Sequence, residues 1–389
     1  MKIRENIYHV GVVDWNLRKF HGYSTPYGTT YNAYLITGEK NILIDTVKPY
    51  CADEFIQRIE EIIPVEKIDY VITNHAEMDH SGTVDYIISK SNATLICSPK
   101  CKENLEKHFH SHYEKIITVE NGEQLTLGNV TLKFIHIPMV HWPESMATYL
   151  VNDEILFPND AFGQHLGCSK IFVDEVGIDI VIREAKKYYA NIVNPYGNSV
   201  KKVMEALKNI PLKMIAPSHG LIWRNTSDIQ TIIKKYNDWA NNTPGDKILI
   251  VYNTMWHSTE KLAKQCYIKA TEKFPAEMFD LEIADIADVV AEIPDAKLVL
   301  FGSSILHNQI LPQMAGLLTY LTGLKFKNRK AWTFGSYGWS NVPFEKFEKD
   351  IKSAGFDLLS NGYYVQFVPD KNNLVEIQKI FVEKILGSL

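Results

Sequence analysis

The chain has 389 residues, with 41 Lys plus Arg against 46 Asp plus Glu, a formal net charge of −5, and five cysteines. That length exceeds the size at which a single hydrophobic core stops growing, so two domains are expected, each able to bury a core of its own. The mildly acidic balance leaves no electrostatic footprint for nucleic acid, the longest apolar runs are strand-length rather than membrane-spanning, and Met1–Asn6 leads into no signal-like apolar stretch.

In chain order, Thr30–Ile36 and Asn41–Asp45 flank Gly38-Glu39-Lys40, a hairpin signal. The apolar run Tyr70-Val71-Ile72-Thr73 then runs straight into His75-Ala76-Glu77-Met78-Asp79-His80, four metal-ligand types within six residues. Imidazole suits zinc or iron, and each added carboxylate makes a site harder and favours iron or manganese; no thiol takes part. On a tight loop leaving a strand, neighbouring side chains fan outwards, so one short loop can serve two metals. The competing reading is a polar loop in which Asp79 or Ser81 caps a following helix over 83–88.

Cys97 and Cys101 lie beyond this loop. Together with Cys51, Cys168 and Cys266 they form no paired metal or disulfide pattern, and they read as free thiols of a reducing cytoplasm. Ile116–Val119, Leu125–Leu127 and Val130–Ile135 alternate with Asn121-Gly122 and Gly128-Asn129 turns, which predicts antiparallel strands with helices layered on the sheet faces.

Three further candidates follow apolar runs. His141 follows Phe134–Pro138, Asp160 follows Glu154–Phe157, and His219 follows Met214–Ser218. Each alone is as well explained by an edge histidine or a turn aspartate. With the first loop they make seven ligands, enough for two metals sharing a carboxylate. His136 is read as structural.

The pattern His75-x-Glu77-x-Asp79-His80, then His141, Asp160 and His219, resembles the metallo-β-lactamase-like domain, and within it the flavodiiron protein branch. The mark is Glu77, where zinc hydrolases of this fold carry histidine. Gly28–Leu35, His141-Trp142-Pro143-Glu144-Ser145-Met146 and Phe157–His165 also resemble that family, and the likeness covers essentially the whole chain. The resemblance implies that His75, Glu77 and His141 hold one iron, that Asp79, His80 and His219 hold the other, and that Asp160 bridges them. His80 is the least secure of these ligands. Asp45, at a strand end, reads equally as a group orienting a ligand imidazole or as a hairpin aspartate bonded to backbone.

A helical pattern over 229–240 is broken by Asn241-Asn242-Thr243-Pro244-Gly245-Asp246, which reads as a linker. The expected division is a metallo-β-lactamase-like αββα sandwich over 1–243 and a flavodoxin-like, doubly wound α/β domain over 244–389. In the second part the strands over 247–252, 297–301, 330–334 and 363–367 are continuous apolar runs. They alternate with helices through Phe274, over 312–322, over 343–354, and to Gly387. Such strands are buried on both faces of a parallel sheet, and a ligand is expected at their carboxyl ends.

Those ends carry Asn253-Thr254-Met255-Trp256-His257-Ser258-Thr259, then Gly302-Ser303-Ser304-Ile305-Leu306-His307-Asn308, then Gly335-Ser336-Tyr337-Gly338-Trp339-Ser340. The first offers hydroxyls and N–H groups at a helix N-terminus, an anion cradle without a Walker lysine or a dinucleotide fingerprint. The other two can hold a planar ring. The loops resemble the FMN site of flavodoxins. Thr254, Met255, Trp256, His257, Ser258 and Thr259 would take the phosphate. Ser303, Ser304, Ile305, Leu306, Asn308, Ser336, Tyr337, Gly338 and Trp339 would take the ring. Lys325, Lys327, Arg329 and Lys330 form a basic cluster, read as a solvated edge or, more sharply, as a docking patch for an acidic electron donor.

The resemblance implies an oxidoreductase that passes electrons from an external donor through FMN to a non-haem diiron site, reducing dioxygen to water. The alternative is coupling of nitric oxide to nitrous oxide at the same site. Rubredoxin, a flavin reductase or a reduced deazaflavin would serve as donor; no rubredoxin-like cysteine pairs follow the second half. The family also implies a head-to-tail homodimer or a dimer of dimers, each flavin beside the partner's irons. His165, Tyr23 and Trp142 are candidates for lining the gas pocket or passing protons. Two rivals are a zinc hydrolase and an electron-carrying flavoprotein with a vestigial metal site; the FMN loops weigh against the first and the complete ligand set against the second.

Overall fold

The computed structural model describes residues 1–389, and the chain divides into two compact units, Met1–Tyr188 with Tyr196–Ala240, and Tyr189–Pro195 with Asn241–Leu389. Sequence patterning assigns Tyr189–Pro195 to the first half, yet these residues belong to the second unit. There the Asn191 side chain donates to the Ala287 carbonyl (3.2 Å) and that of Asn194 to the Leu324 carbonyl (2.7 Å).

The first unit contains two sheets. One runs, in spatial order, Lys2–Arg4, Ile7–His9, Tyr34–Ile36, Ile42–Ile44, Tyr70–Thr73, Thr94–Cys97 and Ile116–Thr118. Its first four strands pair antiparallel, and from Ile42–Ile44 onward the pairing is parallel. The short turns visible in the sequence therefore predict only part of the pairing, because the helices Ala52–Glu60, Val84–Ser91 and Pro99–Phe109 act as crossovers between parallel strands. The second sheet orders Gln124–Leu127, Val130–His136, Met146–Leu150, Ile155–Phe157 and Met214–Ile215, the last pair parallel.

Alternation along the strands divides the core. Tyr34, Ile36, Ile42, Ile44, Ile72 and Ile96 face the second sheet with Phe134, Met146 and Phe157, while Leu35, Leu43, Val71 and Leu95 face the helices with Phe55, Ile59 and Ile87. Successive strand side chains point to opposite faces, so apolar residues at every position mean a sheet buried on both sides.

The second unit is the expected doubly wound sheet, ordered Ala276–Asp280, Lys247–Asn253, Ala296–Leu306, Arg329–Tyr337, then Phe356–Leu358 and Tyr363–Gln366, all parallel. Two apolar clusters cover its faces. Ile248, Ile250, Leu298, Leu300 and Trp332 lie on one, and Leu249, Val251, Val299, Phe301 and Ala331 on the other. Ala276–Asp280 and the helix Ile286–Glu292 carry weak sequence signals; the strand is a half-buried edge reading Ala-Glu-Met-Phe-Asp.

The basic cluster divides on folding: Lys325 and Lys327 stay exposed, as a solvated edge requires, while Arg329 is withdrawn. Arg329 is buried and donates to the carbonyls of Ile293, Pro294, Asn242 and Lys327 at 2.8–3.1 Å, tying the linker to the sheet, and Lys330 Nζ donates to the Ser388 carbonyl. An arginine with its N–H fork committed to buried carbonyls has nothing left for a docking partner.

Candidate metal centre and flavin cleft

The strand Tyr70–Thr73 ends in a loop that enters a single helical turn, Met78–Ser81, with Glu77 at its N-cap position. Neither Asp79 nor Ser81 caps the next helix, Val84–Ser91: Thr83 precedes it, and Ser81 Oγ donates back to the Ala76 and Glu77 carbonyls. That bond closes the loop on itself and frees the other polar side chains to point inward.

All seven predicted ligands converge in two groups, His75, Glu77, His141 and Asp160, and Asp79, His80 and His219, with the ligand atoms of each group within 4.8 Å of one another. Asp160 belongs to both by geometry. Its Oδ2 lies 3.6 Å from His75 Nε2 and 3.2 Å from His141 Nε2; its Oδ1 lies 2.9 Å from His80 Nε2 and 3.4 Å from His219 Nε2. Glu77 Oε2 completes the first side at 3.2–3.3 Å from His75 and His141, and Asp79 Oδ2 the second at 3.3 Å from His219. All seven residues are buried.

Electrostatics tests whether such a set suits a cation. Burial alone would favour the neutral acid at Glu77, Asp79 and Asp160, yet the surrounding imidazoles outweigh it and hold all three below the usual carboxylate range. Burial likewise favours neutral rings, but Glu144 and Glu77 lift His75 to about 9, Asp79 and Asp160 lift His80 to about 9, and Asp160 and Glu77 lift His141 to about 10. No lysine or arginine pairs with the three carboxylates. Both oxygens of Asp79 and of Asp160 and both ring nitrogens of His80 are buried without a hydrogen-bond partner, so their close approaches lack hydrogen-bond alignment, whereas His75 Nε2 and Glu77 Oε2 bond at 3.2 Å. Atoms that crowd together without bonding one another are directed at a common centre of positive charge, which four imidazoles and three carboxylates without a thiol fit as a hard or borderline metal.

The supporting residues explain why the loops meet. Asp45 touches no ligand imidazole. Its Oδ1 accepts from the Asn74 backbone N–H (2.8 Å), and its Oδ2 from the side chains of Asn74 (3.0 Å), Asn159 (3.2 Å) and Ser218 (3.3 Å). Each of these partners immediately precedes a ligand, His75, Asp160 or His219, so one buried carboxylate ties three loops together. His219 Nδ1 lies 2.6 Å from the Thr30 carbonyl, which leaves Nε2 for the cluster. His136 bonds the Val119 carbonyl and is structural.

His165 lies fully buried, its Nδ1 2.6 Å from Thr29 Oγ1, and burial holds it neutral while it packs on His219, Tyr23 and Tyr188. Trp142 stands edge-on to His75 at 4.9 Å. Two contacts carry no local sequence signal. His21, in the turn of the Lys19–Phe20/Tyr23–Ser24 hairpin, reaches Glu77 Oε1 at 2.5 Å, and Glu144 reaches His75 Nδ1 at 2.8 Å. Both partners are brought together by tertiary folding across 56 and 69 residues.

In the second unit, a cleft of about 460 Å³ opens at the carboxyl ends of the strands. Met255, Trp256, Ser258, Ser304, Ile305, Leu306, Asn308, Ser336, Tyr337, Gly338 and Trp339 line it, joined by His307, Ser340, Phe367 and Val368. Thr259 lies beneath, in a closed ring of hydroxyls with Ser304 (2.9 Å) and Ser336 (3.0 Å), themselves 3.1 Å apart. Ser303 Oγ accepts from the Leu311 N–H, Thr254 Oγ1 donates to the Met255 carbonyl, and His257 turns to Glu260. The helix Ser258–Thr271 presents its N-terminus to this end of the sheet.

Sheet and cleft define a metallo-β-lactamase-like domain joined to a flavodoxin-like domain. Residues 29–220 match the ODP family beta lactamase domain and residues 250–379 the flavodoxin domain. The chain is 41% identical over 388 residues to a nitric oxide reductase of Moorella thermoacetica, covering 96% of this chain and 94% of that one. Among solved structures it is similar to the rubredoxin oxygen:oxidoreductase of Desulfovibrio gigas (34% identity, TM-score 0.95, 100% and 98% covered). It is likewise similar to the flavodiiron protein of Giardia intestinalis (32% identity, TM-score 0.95, 98% and 95% covered). The chain belongs to the flavodiiron proteins, oxidoreductases that join a flavin to a non-haem diiron centre.

Proposed function

We propose that the chain reduces a diatomic gas at its diiron centre, with dioxygen taken to water as the first reading, using electrons that an external donor delivers through FMN. The observation that supports it most is the carboxylate of Asp160, whose two oxygens each face one group of buried ligands. On this reading His75, Glu77 and His141 hold one iron, Asp79, His80 and His219 the other, and Asp160 bridges. When bound, the irons would supply electrons and a place for the gas to bind, and FMN would supply electrons one or two at a time.

The remaining work belongs to the protein. His75 and His219 are each pinned through Nδ1, so that Nε2 alone faces the cluster. Phe20, Tyr31 and Trp142 pack against the imidazoles and keep bulk water out, while His21 is the half-exposed polar group that links Glu77 to the outside. The two ligand groups consist of imidazoles and carboxylates with no cysteine among them, which favours metals over a thiol nucleophile. The N-terminus of Ser258–Thr271 with the hydroxyls of Thr254, Ser258 and Thr259 would take the FMN phosphate, and the Ser304 and Ser336 loops with Tyr337 and Trp339 the ring.

Trp256 and Trp339, each 89% exposed at the cleft, support a partner surface there. A head-to-tail homodimer, alone or doubled, would bring one chain's flavin to the other chain's irons. Rubredoxin, a flavin reductase or a reduced deazaflavin remain the donors to compare. No helix is long and apolar enough to cross a membrane. The five cysteines are unpaired, four of them buried, which supports a reducing, cytoplasmic setting.

Nitric oxide is the second reading, favoured by the name and whole-chain identity of the Moorella relative. Anaerobic stopped-flow mixing of the reduced, iron- and FMN-loaded protein with each gas decides between them. Faster reoxidation by dioxygen without released peroxide is expected; a preference for nitric oxide with nitrous oxide as product selects the second reading, and inertness to both gases overturns the proposal. Turnover per chain should fall on dilution as the dimer separates.

A further inference from the structure

The two ligand groups are alike in what faces inward and unlike in what stands behind. Each presents imidazoles, one carboxylate of its own and one oxygen of Asp160. Behind His219, Nδ1 meets a neutral acceptor, the Thr30 carbonyl, at 2.6 Å. Behind His75, Nδ1 meets a carboxylate, Glu144 Oε1, at 2.8 Å. Glu144 is the only acidic residue outside the seven that pairs with any of the four imidazoles; His80, His141 and His219 meet only Asp79, Glu77 and Asp160.

The placement of Glu144 is itself built. Its side chain is 0% exposed, the Ala76 N–H donates to the same oxygen at 3.3 Å, and Ser98 Oγ donates to its backbone carbonyl at 2.9 Å. Its other oxygen, Oε2, is buried without a partner, and no lysine or arginine pairs with it. A negative charge so placed is screened little and acts through the ring on the nitrogen that faces the cluster. One contact works the other way, His21 Nε2 on Glu77 Oε1 at 2.5 Å, which draws electron density from the same side. His21 is 51% exposed and solvent screens it, whereas Glu144 is wholly buried, so the carboxylate prevails.

We propose that Glu144 is a positioning residue that makes the two iron positions unequal, turning His75 Nε2 toward the cluster as the stronger donor so that the His75–Glu77–His141 position binds iron first and more tightly. Glu144 fixes the tautomer and the orientation of the ring, and it puts a charge in direct contact with a ligand imidazole; on the other side the buried carboxylate Asp45 acts on His80 only through space and bonds no ring. The inference rests on the assignment of the seven ligands proposed above.

The test is an anaerobic titration of apoprotein, FMN retained, with ferrous iron enriched in ⁵⁷Fe, followed by Mössbauer spectroscopy and by the two stepwise affinities. In the unaltered chain the first equivalent should give a single ferrous signal and the second a distinct one. Glu144→Gln keeps the shape and an acceptor oxygen but removes the charge. It should weaken the tighter affinity about 10–100-fold, the range typical of partners behind a metal ligand, leave the weaker one nearly unchanged, and spread the first equivalent over both signals. Even filling of both positions in the unaltered chain overturns the inference without any variant. So does a Glu144→Gln chain that keeps the native order, or one that loses both affinities equally. If the unaltered chain binds no iron pair, it is the ligand assignment that fails.

Discussion

In the first unit the candidate site is made of side chains: four loops contribute seven converging, buried candidate ligands, and a further carboxylate, Asp45, ties three of those loops together. In the second unit the candidate site is an open cleft: three loops at the ends of parallel strands surround it, and the polar side chains beneath bond one another in a ring. A metal needs charge and exact ligand atoms, so the first half concentrates buried ions and depends on each. A flavin needs a flat slot and hydrogen-bond donors, so the second half distributes the task. Damage should therefore be severe and localised in the first unit and graded in the second.

Asp160→Asn attacks the centre of that contrast. Activity should drop by more than about 100-fold, beyond the loss typical of a partner behind a ligand, with iron per chain reduced and FMN per chain unchanged; full iron occupancy would count against the bridging assignment. Asp45→Ala removes no ligand, yet it takes the acceptor from the Asn74 N–H and the Asn74 side-chain N–H and leaves Asn159 and Ser218 only their 3.2 Å bond to each other. It should cost about 2–4 kcal/mol in chemical denaturation and lower both irons together. Loss of one iron alone would break the reading of Asp45 as a common tie.

Acid sharpens the comparison. His9, in the first unit, bonds Asn32 Oδ1 at 2.9 Å, and burial lowers it from 6.5 to about 4. Between those values the unfolded chain binds a proton that the folded one refuses, so stability is complete above about 6.5 and falls as pH drops toward about 4. The loss from this group alone is about 3 kcal/mol at most. Unfolding followed against pH should show the first unit weakening over that window, and His9→Gln should flatten the dependence. The smallest effect is expected at the flavin. Ser336→Ala opens the hydroxyl ring, and FMN affinity should fall about 3–10-fold, the equivalent of one net hydrogen bond, with iron content untouched.

Much of this site was legible locally. The spacing His75-x-Glu77-x-Asp79-His80 after an apolar strand announces a metal loop, because a strand end and a tight turn are local and the donor types are chemically distinctive. The three loops that line the cleft were placed by the same logic, since continuous apolar strands imply a doubly wound sheet with its crevice at the strand ends. The weak edge strand Ala276–Asp280 was not legible, being half-buried and mixed in polarity. The basic cluster was legible in part for a related reason: Lys325 and Lys327 are exposed as a solvated edge requires, but charge in sequence does not tell whether Arg329 will point outward or bury its fork among carbonyls.

Residue types and their periodicity were enough for two α/β domains, a loop dense in metal-ligand types and a helix N-terminus at the end of a parallel strand, because each follows from neighbours a few positions apart. Tertiary structure alone decided that Asp160 turns one oxygen to each ligand group, that Asp45 meets Ser218 across 173 residues, and that Glu144 stands behind His75 while His219 has only a carbonyl. Those are contacts between distant strand ends. Their geometry is set when two sheets close on a shared core, and no local pattern records it.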